Sequence, residues 1–541
     1  MIARFQYKPK PHAKLSCFLI ALIIPLCFLI GQFYIRHNAG EFWHWYLLDP
    51  SYFYLLDGLN LLNGNSPAHI YHPGVTVHSF NAALIWVHSI FTSGSIQNLV
   101  LIDPETYLFY LSSIAIVLNS IALFILGLAV KITFKTWSPA ILCQLAPFMS
   151  SIILKHAFMP KPEALLIFGT SLVIALMICS RQENPIIANQ KILAVCFGIL
   201  GGFIVATKIT ASPILILPII LLRGKLPKFI FIAISLLAFA IFFIPAIGAI
   251  EEFLEWLKLL ASSSGTHGSG PSGFIDLDHY PEAVIKILKR PSLKIPLILA
   301  FLATCVALWS RKNDHKINID DLRGLIAISL TQVAHVLWVA KQAAAFYMIP
   351  AYMLSSVSIL LSYRIFWQAQ LIPWRNSLSK STIGTILLVI VVIAIQITGI
   401  LKSAKHYGDL RADATKANNE NYVNCAHIYN YSASSPVFAM YLANYTSGSR
   451  FSKDLKKLFP SNHYWIDDWW SWKPVQAKNW DGVLNLKSII TKYPCVILRG
   501  SPRNRVERFL QTELKGFKFE GSCRAGIEHI RTLGVDCNTA K

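Results

Sequence analysis

The chain has 541 residues, 54% hydrophobic and only 14% charged, with a mean hydropathy of +0.49. That composition excludes an ordinary soluble domain and points to a polytopic membrane protein. Lys plus Arg outnumber Asp plus Glu by 49 to 28, a formal charge of +21. These charges flank apolar stretches, so they read as anchors beside an anionic leaflet and not as a nucleic-acid surface.

The chain opens on a basic segment, "MIARFQYKPKPHAK", expected to stay in the cytoplasm. The apolar run at 15–35 is too long for a signal-peptide core, and no small-residue cleavage site comes after it. It reads as the first transmembrane helix. A helix needs roughly 20 apolar residues to cross ~30 Å of hydrocarbon. By that measure further spans fall near 106–131, 137–154, 162–180, 192–207, 210–222, 228–249, 293–309, 323–340, 346–363 and 382–402, about eleven in all. The 210–222 span is short and is expected to form a tight hairpin with its predecessor. The segment 78–92 reads as an interfacial or re-entrant helix.

The loops "KITFK", "RQENPIIANQK", "RGKLPK", "RKNDHKINIDDLR" and "SYRIFWQAQLIPWRNSLSK" are short and rich in Lys and Arg, which places them inside. The segments 36–105, 155–161, 250–292 and everything after 402 then lie outside, and an odd number of spans puts the C-terminus there too. The expected fold is a polytopic α-helical membrane domain, 1–402, followed by a small extracytoplasmic α/β domain, 403–541. In that domain "SSPVFAMYLANY" reads as a helix and "CVILRG" as a buried strand. Its four cysteines, Cys425, Cys495, Cys523 and Cys537, suit an oxidising compartment. Cys523–Cys537 is the favoured pair for its proximity in sequence. The Gly/Ser run "SSSGTHGSGPSG", 262–273, reads equally as a lid over a site or as a slack connection. "NHYWIDDWWSW", 462–472, suits sugar stacking, core packing or an interfacial belt.

Two carboxylates stand in "LLDPSYFYLLDGLNLLNG", 47–64. Asp49 before Pro50 is a good helix N-cap, and Asn63-Gly64 a good helix end. On that reading the helix is amphipathic, lies in the interface, and carries Asp57 on its solvated face. The chemical reading starts from the adjoining segment. "NSPAHIYHPGVTVHSF" adds His69, His72 and His78, more polar chemistry than anchoring requires. No zinc spacing is present, so no metal is expected, and no cofactor. A carboxylate here can serve as general base on an acceptor hydroxyl. Other ionisable residues stand at the expected outer ends of spans: Lys155, His156, Lys161 and Glu163 in "KHAFMPKPEALLIF", Lys208 in "ATKITASP", and Lys341, with Gln342 and Tyr347, in "VAKQAAAFYMIP". The positive-inside rule does not explain lysines outside. Snorkelling toward lipid phosphates is one account; convergence on an anionic headgroup, phosphate above all, is the other.

Taken in order, the early Asp, then "HPG", then "ATK" at a hairpin tip, then "AK" before "YMIP", resemble the GT-C superfamily of membrane glycosyltransferases. The similarity is greatest to the branch of protein O-mannosyltransferases and aminoarabinose transferases. The resemblance implies a polyprenyl-phosphate-linked sugar donor and a glycan, lipid or protein acceptor on the outer side of a bacterial plasma membrane. It implies Asp49 as the catalytic carboxylate. The family often has a second acid directly beside it; this chain has Pro50, which leaves Asp57 as the substitute. It implies Lys208 and Lys341 near the donor phosphate, and His72 in the loop's histidine-proline element. The residues themselves add Lys161 and His156 to the phosphate set and His69, Tyr347 and Gln342 to the substrate set. The competing classes are a lipid-linked sugar transporter or flippase, which should show internal repeats, and an O-antigen ligase or polymerase, which should carry its large outer loop mid-chain.

Overall fold

The computed structural model describes residues 11–45, 51–182, 189–265, 268, 270–312, 317–371, 378–418, 422–466 and 477–537. Among them, eight helices are long and apolar enough to cross a membrane: Leu19–Ala39, Pro104–Phe134, Pro162–Cys179, Gln190–Thr207, Lys225–Ser262, Pro291–Ser310, Ile319–Ala340 and Ala345–Gln368. The chain is a multi-pass membrane protein. Three expected spans are not among the eight, each for its own reason. The 137–154 stretch is broken into Trp137–Gln144, a 3-10 turn at Ala146–Met149 and Ser151–His156, with Pro147 at the break. The 210–222 stretch is a 3-10 turn, Ile209–Leu215, followed by the short helix Ile216–Leu221. Thirteen residues of helix reach only about 20 Å. The 382–402 stretch lies within the helix Leu378–Ala417, part of whose side chains fall outside the described residues.

The backbone divides into two compact units. One comprises 1–33, 70–77 and 112–400; the other comprises 34–69, 78–111 and 401–541.

In the first unit, helices with apolar residues on every face pack into one core. Close packing needs small residues. A Cβ on Gly202 would lie 2.6 Å from the Phe239 backbone nitrogen, so the Gln190–Thr207 and Lys225–Phe243 helices touch backbone to backbone there. An ionic belt ties the ends of several helices. Arg181 donates to Asp321 at 2.6 Å and to the Asp320 carbonyl at 2.7 Å. Arg364 (3.0 Å) and Gln368 (2.7 Å) hold the other oxygen of Asp321. Arg223 pairs with Asp320. Asn318 caps this helix start by accepting from the Asp320 and Asp321 amides, and the two acids sit where the helix dipole favours them. All these residues come from the loops read as cytoplasmic, or from their borders.

The second unit contains a seven-stranded sheet: β1 Ala426–Asn430, β2 His463–Ile466, β3 Ala477–Asn479, β4 Gly482–Leu484, β5 Val496–Gly500, β6 Gly521–Ala525 and β7 Glu528–Leu533. Its order is β4-β3-β2-β1-β5-β7-β6. β1 pairs parallel with β2 and β5, and the remaining pairs are antiparallel. The helix expected from "SSPVFAMYLANY" is Pro436–Thr446, and "CVILRG" contains β5. Disulfides join Cys523 to Cys537, the favoured pair, and Cys425 to Cys495. The described part of the aromatic run at 462–472 packs inward. Trp465 is buried and stacks on Tyr441 at 3.7 Å; residues 467–472 lie outside the described residues.

Arg499, on β5, is buried and donates from all three of its guanidinium nitrogens. It pairs with Glu528 at 2.8 Å and donates to the Ala417 and Ser434 carbonyls. Beside it, His427 and His463 stack on neighbouring strands at 4.6 Å, with Tyr429 2.7 Å from the His463 ring nitrogen. Burial pushes His427 down to about 4 and His463 to about 3. Both rings are neutral in the fold, whereas in the unfolded chain they take up protons near pH 6.5. Stability from these groups is therefore full above pH 6.5 and is lost as pH falls toward 4. At pH 5 the loss should reach up to about 2 kcal/mol for each ring. Hydrogen exchange of the β1 and β2 amides, corrected for intrinsic rates, should show it, and His463→Gln should flatten the pH dependence.

Candidate functional site

The first unit brings "HPG" and "ATK" together through the backbone. Pro73 and Lys208 form an isolated antiparallel bridge, and the Ile209 amide donates to the His72 carbonyl at 2.8 Å. Thr76 and Thr207 hydroxyls bond at 2.7 Å beside it. Lys208 terminates the Gln190–Thr207 helix in an extended conformation, φ −160°. Its ammonium pairs with Glu163, in the first turn of the Pro162–Cys179 helix, and lies 4.4 Å above the Tyr347 ring and 5.1 Å from that of Phe346.

Lys341 follows the last residue of the Ile319–Ala340 helix. It donates to the Leu260 carbonyl, one of the carbonyls that the end of the Ile250–Ser262 helix cannot satisfy internally, and lies 4.1 Å above Phe274. Burial lowers its pKa. The Gly/Ser run between Leu260 and Phe274 is closed upon itself: Ser263 bridges Ser272, and the Ser264 amide and hydroxyl both donate to the Pro271 carbonyl.

These pieces enclose a cavity of about 240 Å³. His72, Lys208, Lys341, Gln342 and Tyr347 line it, five of the ten residues marked from the sequence. Trp256, Trp338, Leu257, Leu260 and Phe274 supply apolar walls. Two ammoniums held on aromatic faces in an apolar hollow suit an anionic headgroup joined to a hydrocarbon tail.

Lys161 and His156 belong to the same charge group. Lys161 is buried just before Glu163, and the His156 ring packs at a tilt against Phe346, 5.1 Å between centroids. Burial pushes His156 down to about 4, with Glu163 opposing and Lys161, Lys208 and Lys155 reinforcing. At neutral pH His156 therefore offers a neutral hydrogen bond, not a further charge.

The cavity also lies at a definite level. The Pro162–Cys179 helix begins beside Lys161 and Glu163 and ends two residues before Arg181; Ile319–Ala340 begins beside Asp320 and Asp321 and ends just before Lys341. With 18 and 22 residues, these helices are about 27 and 33 Å long. One hydrocarbon thickness separates the lysines from the ionic belt.

Asp57 and His69 belong to the second unit. Asp57 is completely buried, which corrects the expectation of a solvated helix face. The helix Tyr52–Leu62 is buried from Tyr52 through Asn60, because the Pro436–Thr446 helix and the chain at 68–69 also cover the side that carries Asp57. One Asp57 oxygen accepts from Asn60 (2.9 Å) and the Ala68 amide (3.0 Å), the other from the His69 amide (2.8 Å). His78 stands 3.9 Å away, its pKa lowered by burial despite Asp57. The His69 ring packs against Phe53 and Tyr54. The helix end at Asn63-Gly64 is as expected: Asn63 is the C-cap and Gly64 has φ +74°. Asp49 lies outside the described residues.

Sequence reasoning named Glu163 but gave it no role, although an acid in the first turn of a span is itself a signal. The aromatic walls carried no distinguishing mark among so many apolar residues.

No family model and no curated protein matches the chain. Among solved structures, it is similar to the crystal structure of ArnT from Cupriavidus metallidurans bound to undecaprenyl phosphate. The likeness covers 98% of this chain and 99% of that one, at 10% identity and a TM-score of 0.44.

Proposed function

We propose that this chain is a membrane glycosyltransferase that moves a sugar from a polyprenyl-phosphate carrier to an acceptor on the outer side of a bacterial plasma membrane. The observation that carries the reading is the cavity in which Lys208 and Lys341 meet within aromatic walls, one membrane thickness from the ionic belt. The belt's arginines come from loops whose charge reads as cytoplasmic, so the cavity belongs to the opposite leaflet. Its volume is below the ~300–1,000 Å³ of pockets that enclose a drug-sized ligand. It suits a phosphate and the first carbons of a tail that continues into lipid.

In the proposed reaction Asp49 accepts the proton of an acceptor hydroxyl. The oxygen attacks the anomeric carbon, and the bond from that carbon to the phosphate oxygen breaks. Polyprenyl phosphate leaves as an anion, so no general acid is required. Lys208 and Lys341 stabilise the charge it gains, in a low-dielectric site where such contacts count for more than in water. His72, Gln342 and Tyr347 orient the headgroup and sugar. Asp57 is assigned the loop-holding role that its hydrogen bonds describe, with His69 beside it.

Purified protein incubated with undecaprenyl-phosphate sugars should release undecaprenyl phosphate in step with an added acceptor. Movement of lipid-linked sugar across vesicles without release would favour a transporter. Lys341→Met should weaken undecaprenyl phosphate binding about 10- to 100-fold, the worth of one charge-assisted hydrogen bond. Displacement of a fluorescent polyprenyl phosphate measures it, and unchanged affinity would remove Lys341 from the site.

A further inference from the structure

The second unit holds a cleft of about 720 Å³ that the transfer reaction does not use. Its walls are the end of the first helix (Arg36), the turn from Gly40 to His44, the start of the Pro104–Phe134 helix, and Arg411. Three features show that it is built. Gly40 has φ +67°, and a Cβ there would lie 2.8 Å from Arg411 Cδ and 3.0 Å from His44 Nδ1. A Cβ there would strain the left-handed turn and push Arg411 and His44 away from it. Glu105 is fixed by the Phe42 amide, at 2.8 and 2.9 Å to its two oxygens, and by the Tyr52 hydroxyl. The Arg36 guanidinium lies 4.3 Å above Phe42 and 5.5 Å from Phe109, and donates to the Gly40 carbonyl.

Two buried polar side chains in this built wall have an atom without a protein partner among the described residues. Arg36 is 6% exposed and His44 7%, and neither Arg36 Nε nor His44 Nδ1 makes a hydrogen bond. Both atoms have almost no accessible surface, so they lie behind the wall, and a ligand in the cleft would meet the groups exposed in front of them. The remaining wall decides which ligand. Glu41 and Asp103 line the cleft with the two arginines, so a simple anion meets carboxylates and a simple cation meets guanidiniums. Phe109 and Tyr110 line it too, and both are substantially exposed. Sugar hydroxyls donate to carboxylates and accept from guanidiniums, while the C–H face of a pyranose rests on an aromatic ring.

We propose that this cleft is a carbohydrate-binding site that takes a neutral pyranose, free or at the end of a glycan. The proposal does not depend on the transferase reading. The test uses the full-length protein in detergent micelles, with methyl glycosides of glucose, galactose and mannose as probes and inorganic phosphate as the contrast. Saturation-transfer NMR should show contact with the ring protons of at least one glycoside. Glu41→Gln combined with Arg411→Gln changes two exposed side chains, and should weaken that binding about 10-fold or more. Gly40→Ala should weaken it independently, and the melting transition of each variant checks the fold. Absence of binding by all three glycosides overturns the proposal. So does binding that survives the variants, binding of phosphate in place of sugar, or binding lost instead in Lys341→Met, which would place the sugar in the lysine-lined cavity.

Discussion

Asp49→Asn, in protein that inserts normally, should lower sugar transfer by about 10²–10⁴-fold, the usual contribution of a general base. Asp57→Asn should act differently. Both Asp57 oxygens accept hydrogen bonds, including those of the Ala68 and His69 amides. An asparagine keeps one acceptor and turns its NH₂ toward a backbone N–H, so donor faces donor in a fully buried site. That should cost about 1–3 kcal/mol of local stability. Turnover at saturating donor, measured beside hydrogen exchange of the 66–70 segment, separates the two. A fully active Asp49→Asn enzyme would remove the base from the mechanism. An Asp57→Asn enzyme of unchanged stability but lost turnover would move the chemistry to Asp57.

Lys208→Met should be the most damaging single change in the first unit. It leaves the Glu163 carboxylate, 3% exposed, without the ammonium that faces it. Removing one partner of a buried ion pair typically costs 3–5 kcal/mol, roughly 10²–10³-fold or more in the folded population. The double variant Lys208→Met/Glu163→Gln removes both charges and should recover most of that stability. It should not recover donor binding, because the charge proposed to face the phosphate is still absent. Melting in detergent and polyprenyl-phosphate binding, measured on the same three proteins, give the two readouts. A double variant as unstable as the single one would mean that Lys208 is held chiefly by its aromatic contacts and its bridge to Pro73.

The lysines were legible because they stand at span ends that the loop charges read as outside, and apolar surroundings make any ionisable residue conspicuous. The helix end at Asn63-Gly64 was legible because a left-handed position has few occupants. What joins "HPG" to "ATK" was not, since a backbone bridge between segments distant in the chain leaves no periodicity to read. Asp57 was misjudged for a related reason. Helical spacing separates its face from the leucine stripe, but the groups that bury it come from Ala68, His69 and a distant helix. The charged cleft draws Arg36, Glu105 and Arg411 from three helices and carries no motif at all. The broken spans show the limit of hydropathy: Pro147 and Pro213 leave composition apolar while cutting the helix.

The ionic belt and the paired lysines also set a ruler. Helices about 27–33 Å long carry polar groups at both ends that must reach the aqueous boundary together. In a bilayer matched to that length both ends are solvated without strain. In a thicker one the protein must tilt or draw the surrounding acyl chains thin, at a cost of fractions of a kcal/mol per ångström. Lipid chain length therefore acts on the geometry of the lysine-lined cavity without touching any residue that lines it.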